Sequence, residues 1–435
     1  MKNCYKKVYL VTRLMSVLIM LFALTANSAL AQGKPELTEK DLADYTKYFD
    51  IKNGEFVGEG ANFLLSEFAK HQYVLMGEYH GSHQLSLFTQ AIIPPLHKNG
   101  FRYFGLEVGP VSSQILTEMM ADTGKISKKL NELNSRYLKN AENRQFTPIP
   151  FFSYMEDAEF LKEAAIAKWQ LIGLDQEFMA GYTMLLDRMY QNLNDDAKRI
   201  LKDSHLKAVE AVRIADSIDV ANGKRMYETI NSSSPFNDFL TGASKNNKKN
   251  QEIAEALRIT NSIYLKGVQR KYYEQNSDRV TYMKQNLSNF LNSKSFDMSK
   301  DKMLLKMGAV HTGRGFSPLS LFEIGNTLSE LAEFNGNSSL HINFNCRFYI
   351  DYGKEIDDLA DSTSYGYRFK GLFQMAKKDQ WTVIDLRPLR SKVFYNRAFK
   401  LDEIILELFK NYDWFIMPPL DFDPVANYDV KGIVK

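Results

Sequence analysis

Three short apolar runs in this sequence close on glycine and an ionisable side chain. Tyr73–Met76 leads into Gly77-Glu78-Tyr79-His80-Gly81-Ser82-His83. Tyr103–Leu106 contains Gly105 and is followed by Glu107-Val108-Gly109. Met303–Met307 leads into Gly308-Ala309-Val310-His311-Thr312-Gly313-Arg314-Gly315. Further runs of the same kind are Gln170–Leu174, His341–Tyr349, Thr382–Leu386 and Trp414–Met417. Most are continuously apolar rather than alternating, which suits strands covered on both faces, as in a parallel sheet.

Helical patterns separate the early runs. Gln84–Lys98, with a proline pair inside it, and Met155–Trp169 are the clearest. Strand and helix in alternation specify an α/β fold with a mostly parallel central sheet flanked by helices. Between residues 180 and 292 the alternation stops. Asp195–Ile218, Gln251–Tyr264 and Lys271–Leu291 read as helices, and Ser244–Asn250 as an exposed connection. The organisation expected is a core formed by residues 32–179 and 293–435, with a large all-helical insertion at 180–292 that could serve as a lid.

The first 31 residues have the layout of a secretory signal peptide. Lys2, Lys6, Lys7 and Arg13 precede the apolar stretch Leu14–Leu24, and Ala29-Leu30-Ala31 supplies small residues for cleavage after Ala31. An exported protein, periplasmic or secreted, is expected, without a transmembrane segment after cleavage. Removing the four basic residues leaves 51 of the 55 Lys and Arg against 52 acidic side chains. That balance gives no reason to expect a nucleic-acid partner. Cys346 is then the one remaining cysteine, so no intrachain disulfide supports the fold. It falls in an expected strand and reads as core rather than nucleophile.

In open parallel sheets, ligands bind beyond the carboxyl ends of the strands. Glu78, His80, Glu107 and His311 should therefore meet at one rim, although they are far apart in sequence. A lone histidine or carboxylate in such a place is more often structural; the coincidence of three strand ends carries the argument. Asp175 and Glu177, and Asp385 and Arg387, are weaker candidates for the same rim, with helix capping and ion pairing slightly preferred for each. Arg279, Met283 and Asn286 share one helical face, from which Arg279 could reach an anionic group. His97, late in a helix, reads as solvated. There is no Gly-x-Ser-x-Gly elbow, Walker loop, dinucleotide fingerprint or metzincin helix.

Gly77–His80, Glu107 and Gly308–His311 resemble the paired Gly-x-x-His motifs and second-strand acid of the superfamily that joins the Tiki proteases, the haem-binding-uptake lipoproteins and the erythromycin esterases. The likeness runs from about Val74 to Pro419. It includes Arg279–Asn286 and the ending Tyr412-Asp413-Trp414-Phe415-Ile416, both similar to erythromycin esterases. The single residue between Glu78 and His80 is nearer the haem-uptake and Tiki branch, whereas the long helical insertion is not typical of haem-uptake proteins.

The resemblance implies a hydrolase acting on a small molecule or a peptide. In the esterase form, His80 activates water, Glu107 or Glu78 orients it, and His311 or Arg314 stabilises the oxyanion; His83, Arg279 and Arg314 would bind substrate. In the Tiki form, His80, His311 and Glu107 hold a divalent metal such as Mn, Co, Fe or Zn. The alternative is a non-catalytic binder of haem or another small ligand, with Tyr79 or His83 as axial ligand.

Overall fold

Tyr73 to Met76 are all fully buried, and successive side chains enter different cores. Val74 and Met76 pack with Phe88, Phe104 and Phe160 on one side; Tyr73 and Leu75 pack with Leu305, Met283 and Ile324 on the other. This is the two-residue period of a strand covered on both faces. The computed structural model describes residues 35–429, apart from 142–143 and 223–225. The expected signal segment lies outside these residues.

The central sheet has nine strands: β1 (Thr46–Lys52), β2 (Glu55–Val57), β3 (Tyr73–Glu78), β4 (Phe101–Leu106), β5 (Gln170–Gly173), β6 (Lys302–Gly308), β7 (Ser339–Phe344), β8 (Trp381–Asp385) and β9 (Trp414–Met417). Their order is β2-β1-β8-β9-β7-β3-β6-β4-β5. The contiguous block β9-β7-β3-β6-β4-β5 is parallel. The other three continue it antiparallel, strand by strand. The fold is therefore the expected α/β class with a mostly parallel sheet.

The last two strands on one side of the sheet, β1 and β2, were not legible in sequence. β1 pins one wholly buried side chain, Phe49, and its remaining positions are largely polar. Pairing with β8, not apolar content, holds it in place. The expected strand His341–Tyr349 is two pieces. β7 stops at Phe344, and Phe348–Asp351 forms a separate hairpin with Lys354–Asp357. Cys346 lies between them, buried, with its thiol donating to the Phe348 carbonyl at 3.1 Å; burial raises its pKa well above the ordinary thiol value.

Every described element from Met179 to Leu291 is helical. The helices do not stand apart from the sheet. Leu185, Met189, Phe239 and Leu257 are continuous with the core that covers Val74 and Met76. The last helix, Tyr272–Leu291, packs Met283 and Leu287 on the opposite face. The connection read as Ser244–Asn250 is shorter, because the next helix starts at Lys248. Asn250 is fully buried and donates to the carbonyls of Met189 and Ala243. Among the described residues, no helix is long and apolar enough to cross a membrane.

Candidate active site at the carboxyl end of the sheet

Register places Glu78 opposite Gly308 across β3 and β6, with Leu106 beside Lys306 on the next strand. The residues immediately after these positions emerge together. A Cβ at Gly308 would lie 3.2 Å from His80 Nε2 and 3.3 Å from Glu107 Oε2, so a hydrogen there lets both side chains close over the backbone. Gly77 answers a different need. The turn at Ala309–Thr312 folds back against β3 so closely that a Cβ at Gly77 would overlap the Thr312 hydroxyl.

Glu78, His80, Glu107 and His311 thus come together, but in different environments. The His80 side chain is 46% exposed, while those of Glu78, Glu107 and His311 are almost wholly buried. His80 Nδ1 lies 3.3 Å from Glu78 Oε1, a buried oxygen with no other donor in reach. The second oxygen of Glu78 accepts from the Lys306 ammonium. Burial acts to raise the Glu78 carboxyl, but Lys306 and His80 outweigh it and hold it below the usual range.

Glu107 is the centre of a longer chain of charges. Its Oε2 accepts the Gly308 N–H at 2.5 Å, and its Oε1 accepts from Arg279 at 2.9 Å and lies 3.5 Å from His311 Nε2. Arg279 also grips Asp175 at 2.9 and 2.5 Å, and His311 Nδ1 faces Glu323 at 2.9 Å. Burial works against charge on His311, but Glu107 and Glu323 outweigh it and raise the imidazole to about 9. Glu107, despite its own burial, is held well below the ordinary carboxylate range by His311 and Arg279. Acidic and basic side chains thus alternate in the order Asp175, Arg279, Glu107, His311, Glu323, so the buried His311 holds its proton between two acids, whereas His80 is the accessible imidazole.

The remaining candidates take structural positions. Arg314 is bound by both oxygens of Asp413, at 2.8 and 2.6 Å, and by Ser329 and the Ser339 carbonyl, so its guanidinium is not free for substrate. Arg279 is likewise committed to Asp175 and Glu107. His83 faces Glu156 at 2.8 Å and stacks on Phe422 at 4.1 Å. Tyr79 donates to Asp421 at 2.9 Å. Both side chains considered as haem ligands are engaged in these contacts.

Glu177 caps the helix Pro110–Met120 through the amides of Val111 and Ser112, the structural role preferred for it. Asp385 and Arg387 are not at this rim. β8 runs antiparallel to β9, so Asp385 pairs with Trp414 at the opposite edge, where Arg387 bridges it to Glu67.

The metal set His80, His311 and Glu107 does not fit the donor geometry. Glu107 already has a guanidinium and an amide on its two oxygens, and His311 is flanked by carboxylates on both nitrogens. Among the described residues, no group of three or more His, Cys, Asp or Glu side chains is arranged to hold a metal ion.

Three contributors were missed in sequence. Lys306 interrupts an otherwise apolar strand and is 5% exposed, a signal that was available. Asp157 lies behind it, with burial pushing its carboxyl up to about 7 against the pull of Lys306. Phe151 stacks on His80 at 4.3 Å from a backbone φ of +62°, a region rarely used by bulky residues. No local pattern announces it.

A cavity of about 690 Å³ adjoins the constellation. Glu78, Ala309 and Val310 form the shared wall, while Asn343, Tyr349, Tyr412 and Phe422 extend it beyond β7 and β9. His80, Glu107 and His311 stand beside this space rather than around it.

Fold and site together define a parallel α/β protein with an acid–imidazole constellation at the carboxyl end of its sheet. No protein-family model matches the chain, and no curated protein matches it in sequence. Its fold is similar to that of an erythromycin esterase. The structure of a histidine variant of EreC in its open conformation aligns at a TM-score of 0.53 and 13% identity, covering 87% of this chain and 96% of that one. A succinoglycan biosynthesis protein aligns at 0.49 and 16% identity over 89% and 97% of the two chains. Haem-binding ChaN of Campylobacter jejuni aligns at 0.30 and 13% identity over 69% and 91%.

Proposed function

We propose that this chain is an exported hydrolase, processed after Ala31, that cleaves an ester with water activated by His80. The observation that carries the reading is the pairing of accessible His80 with the buried Oε1 of Glu78, which has no other donor. In the proposed step, His80 Nε2 takes a proton from water as the oxygen attacks the ester carbonyl. The Nδ1–H of the ring, which faces Glu78 Oε1 throughout, selects this tautomer, and the carboxylate offsets the charge of the resulting imidazolium. The proton then passes to the departing alkoxide.

Lys306 holds Glu78 in place through its other oxygen. Glu107 anchors the Gly308 backbone beneath the imidazole, with Arg279 and His311 keeping it ionised. Phe151 limits the ring's rotation from the open side. The helical segment 180–292 serves as a substrate-selecting neighbour of this rim.

The test is a screen of the mature protein against aryl and alkyl esters, lactones and peptides, followed by His80→Ala and Glu78→Gln on any substrate cleaved. Loss of a general base costs about 10²–10⁴ in rate. Undiminished turnover in folded His80→Ala would refute the assignment. Amino-terminal analysis of the exported protein tests the processing site.

A further inference from the structure

The large cavity has a one-sided charge. Asp351, Asp358, Glu407, Asp421 and Asp423 all line it. Among the described residues, none of these five carboxylates is in an ion pair. The other acid on the wall, Glu78, is bound to Lys306 through one oxygen and faces His80 at 3.3 Å through the other. One basic side chain lines the space, Arg314, and Asp413 already neutralises it. Asp358 is 9% exposed and has a tyrosine donor, Tyr349 at 3.2 Å, in place of a cation. Burial and neighbouring Asp357 push its carboxyl upward, as expected for a charge without a counter-charge.

The same walls carry aromatic rings. Tyr349, Tyr365, Phe369 and Phe422 line the cavity, and Tyr365 and Phe422 are exposed. Ring faces attract organic cations, and carboxylates in a concave surface reinforce that attraction. An anionic ligand would meet five like charges. A neutral one would gain nothing from them. The volume is that of a pocket for a drug-sized molecule.

We propose that this cavity binds an organic cation, an amine or quaternary ammonium group on an apolar body, and so selects esters that carry one. The selectivity for esters rests on the hydrolase reading above; the cation site rests on the cavity. With the ammonium group among the carboxylates and rings, the ester end of such a substrate would lie toward Glu78 and Ala309, next to His80.

The experiment has two arms on the mature protein. In the first, benzyltrimethylammonium, N-benzylacetamide and 3-phenylpropionate are titrated by ligand-observed NMR at low salt. The cation should bind at least about tenfold more tightly than the neutral amide, with the anion weakest, and added salt should narrow the gap. Asp358→Asn and, at a less buried position, Glu407→Gln should each weaken the cation several-fold and leave the amide unchanged. Two sites keep the test valid if one variant does not fold. Equal affinity for the three probes, or cation binding indifferent to both substitutions in folded protein, would overturn the site.

In the second arm, kcat/KM is compared for benzoylcholine and its neutral isostere 3,3-dimethylbutyl benzoate. Preference for benzoylcholine, carried mostly in KM, supports the proposal. Cation binding without hydrolysis of any ester overturns the hydrolase reading and leaves the cation site standing. Hydrolysis of both esters without preference, together with no cation binding, does the reverse.

Discussion

His311 gives the site a measurable alkaline limit. Its imidazole is raised from an ordinary 6.5 to about 9 by Glu107 and Glu323, against the effect of burial. A group bound more tightly to its proton in the folded state stabilises that state fully below the unfolded pKa. The contribution is lost as pH rises through the folded pKa. The difference of about 2.5 units, at 1.36 kcal/mol per unit, corresponds to roughly 3 kcal/mol below pH 6. Most of this remains at pH 7, and almost none at pH 10. His311→Gln removes the titrating group and should destabilise the fold at pH 7, because it leaves two buried carboxylates short of a cation. Urea unfolding of both proteins at pH 7, 8.5 and 10 isolates the effect from other groups that titrate in this window. The stability gap between them should shrink by about 2–3 kcal/mol from pH 7 to pH 10. Parallel curves would show that His311 carries no extra proton in the folded state, and the charge order assigned to the network would fail.

Three further outcomes are expected. His80→Ala should lower turnover by about 10²–10⁴ with little change in unfolding midpoint, while His97→Ala leaves activity near wild type; equal effects would disconnect the chemistry from the sheet rim. Glu107→Gln should reduce both stability and turnover without changing the content of bound divalent metal, measured by plasma emission; a fall in bound metal would restore the metal reading. Asp413→Ala, which strands Arg314 and Arg390 around a buried site, should destabilise by about 3–5 kcal/mol in denaturant unfolding, and a loss below about 1 kcal/mol would mean these pairs are solvated.

Much of the site's position was legible because it depends on a local rule. Apolar runs that end in glycine and an ionisable residue become strands, and parallel strands deliver their ends to one rim. That rule brings Glu78, His80, Glu107 and His311 together without knowledge of strand order. It misplaced Asp385 and Arg387 because the direction of a strand is not written in its own residues. β8 has the same apolar character as β3, yet its antiparallel pairing sends its last residue to the other edge.

Partner choice was equally hidden. Arg279 was expected to bind substrate through an anionic group, but the sequence offered no way to see that the protein's own Asp175 and Glu107 occupy it. Arg314 shows the same limit, since Asp413 lies 99 residues away. The cavity's acidity is assembled from the hairpin that ends near Asp358, the loop at residues 421–423 and the helix Glu403–Asn411, which have no common pattern. By itself the sequence determined the α/β class, the helical middle and which strand ends bring ionisable side chains to one rim, because these follow from short-range periodicity and turn residues. Tertiary structure decided strand direction, which charges neutralise one another and which histidine remains accessible, because each depends on contacts between segments that only the folded chain brings together.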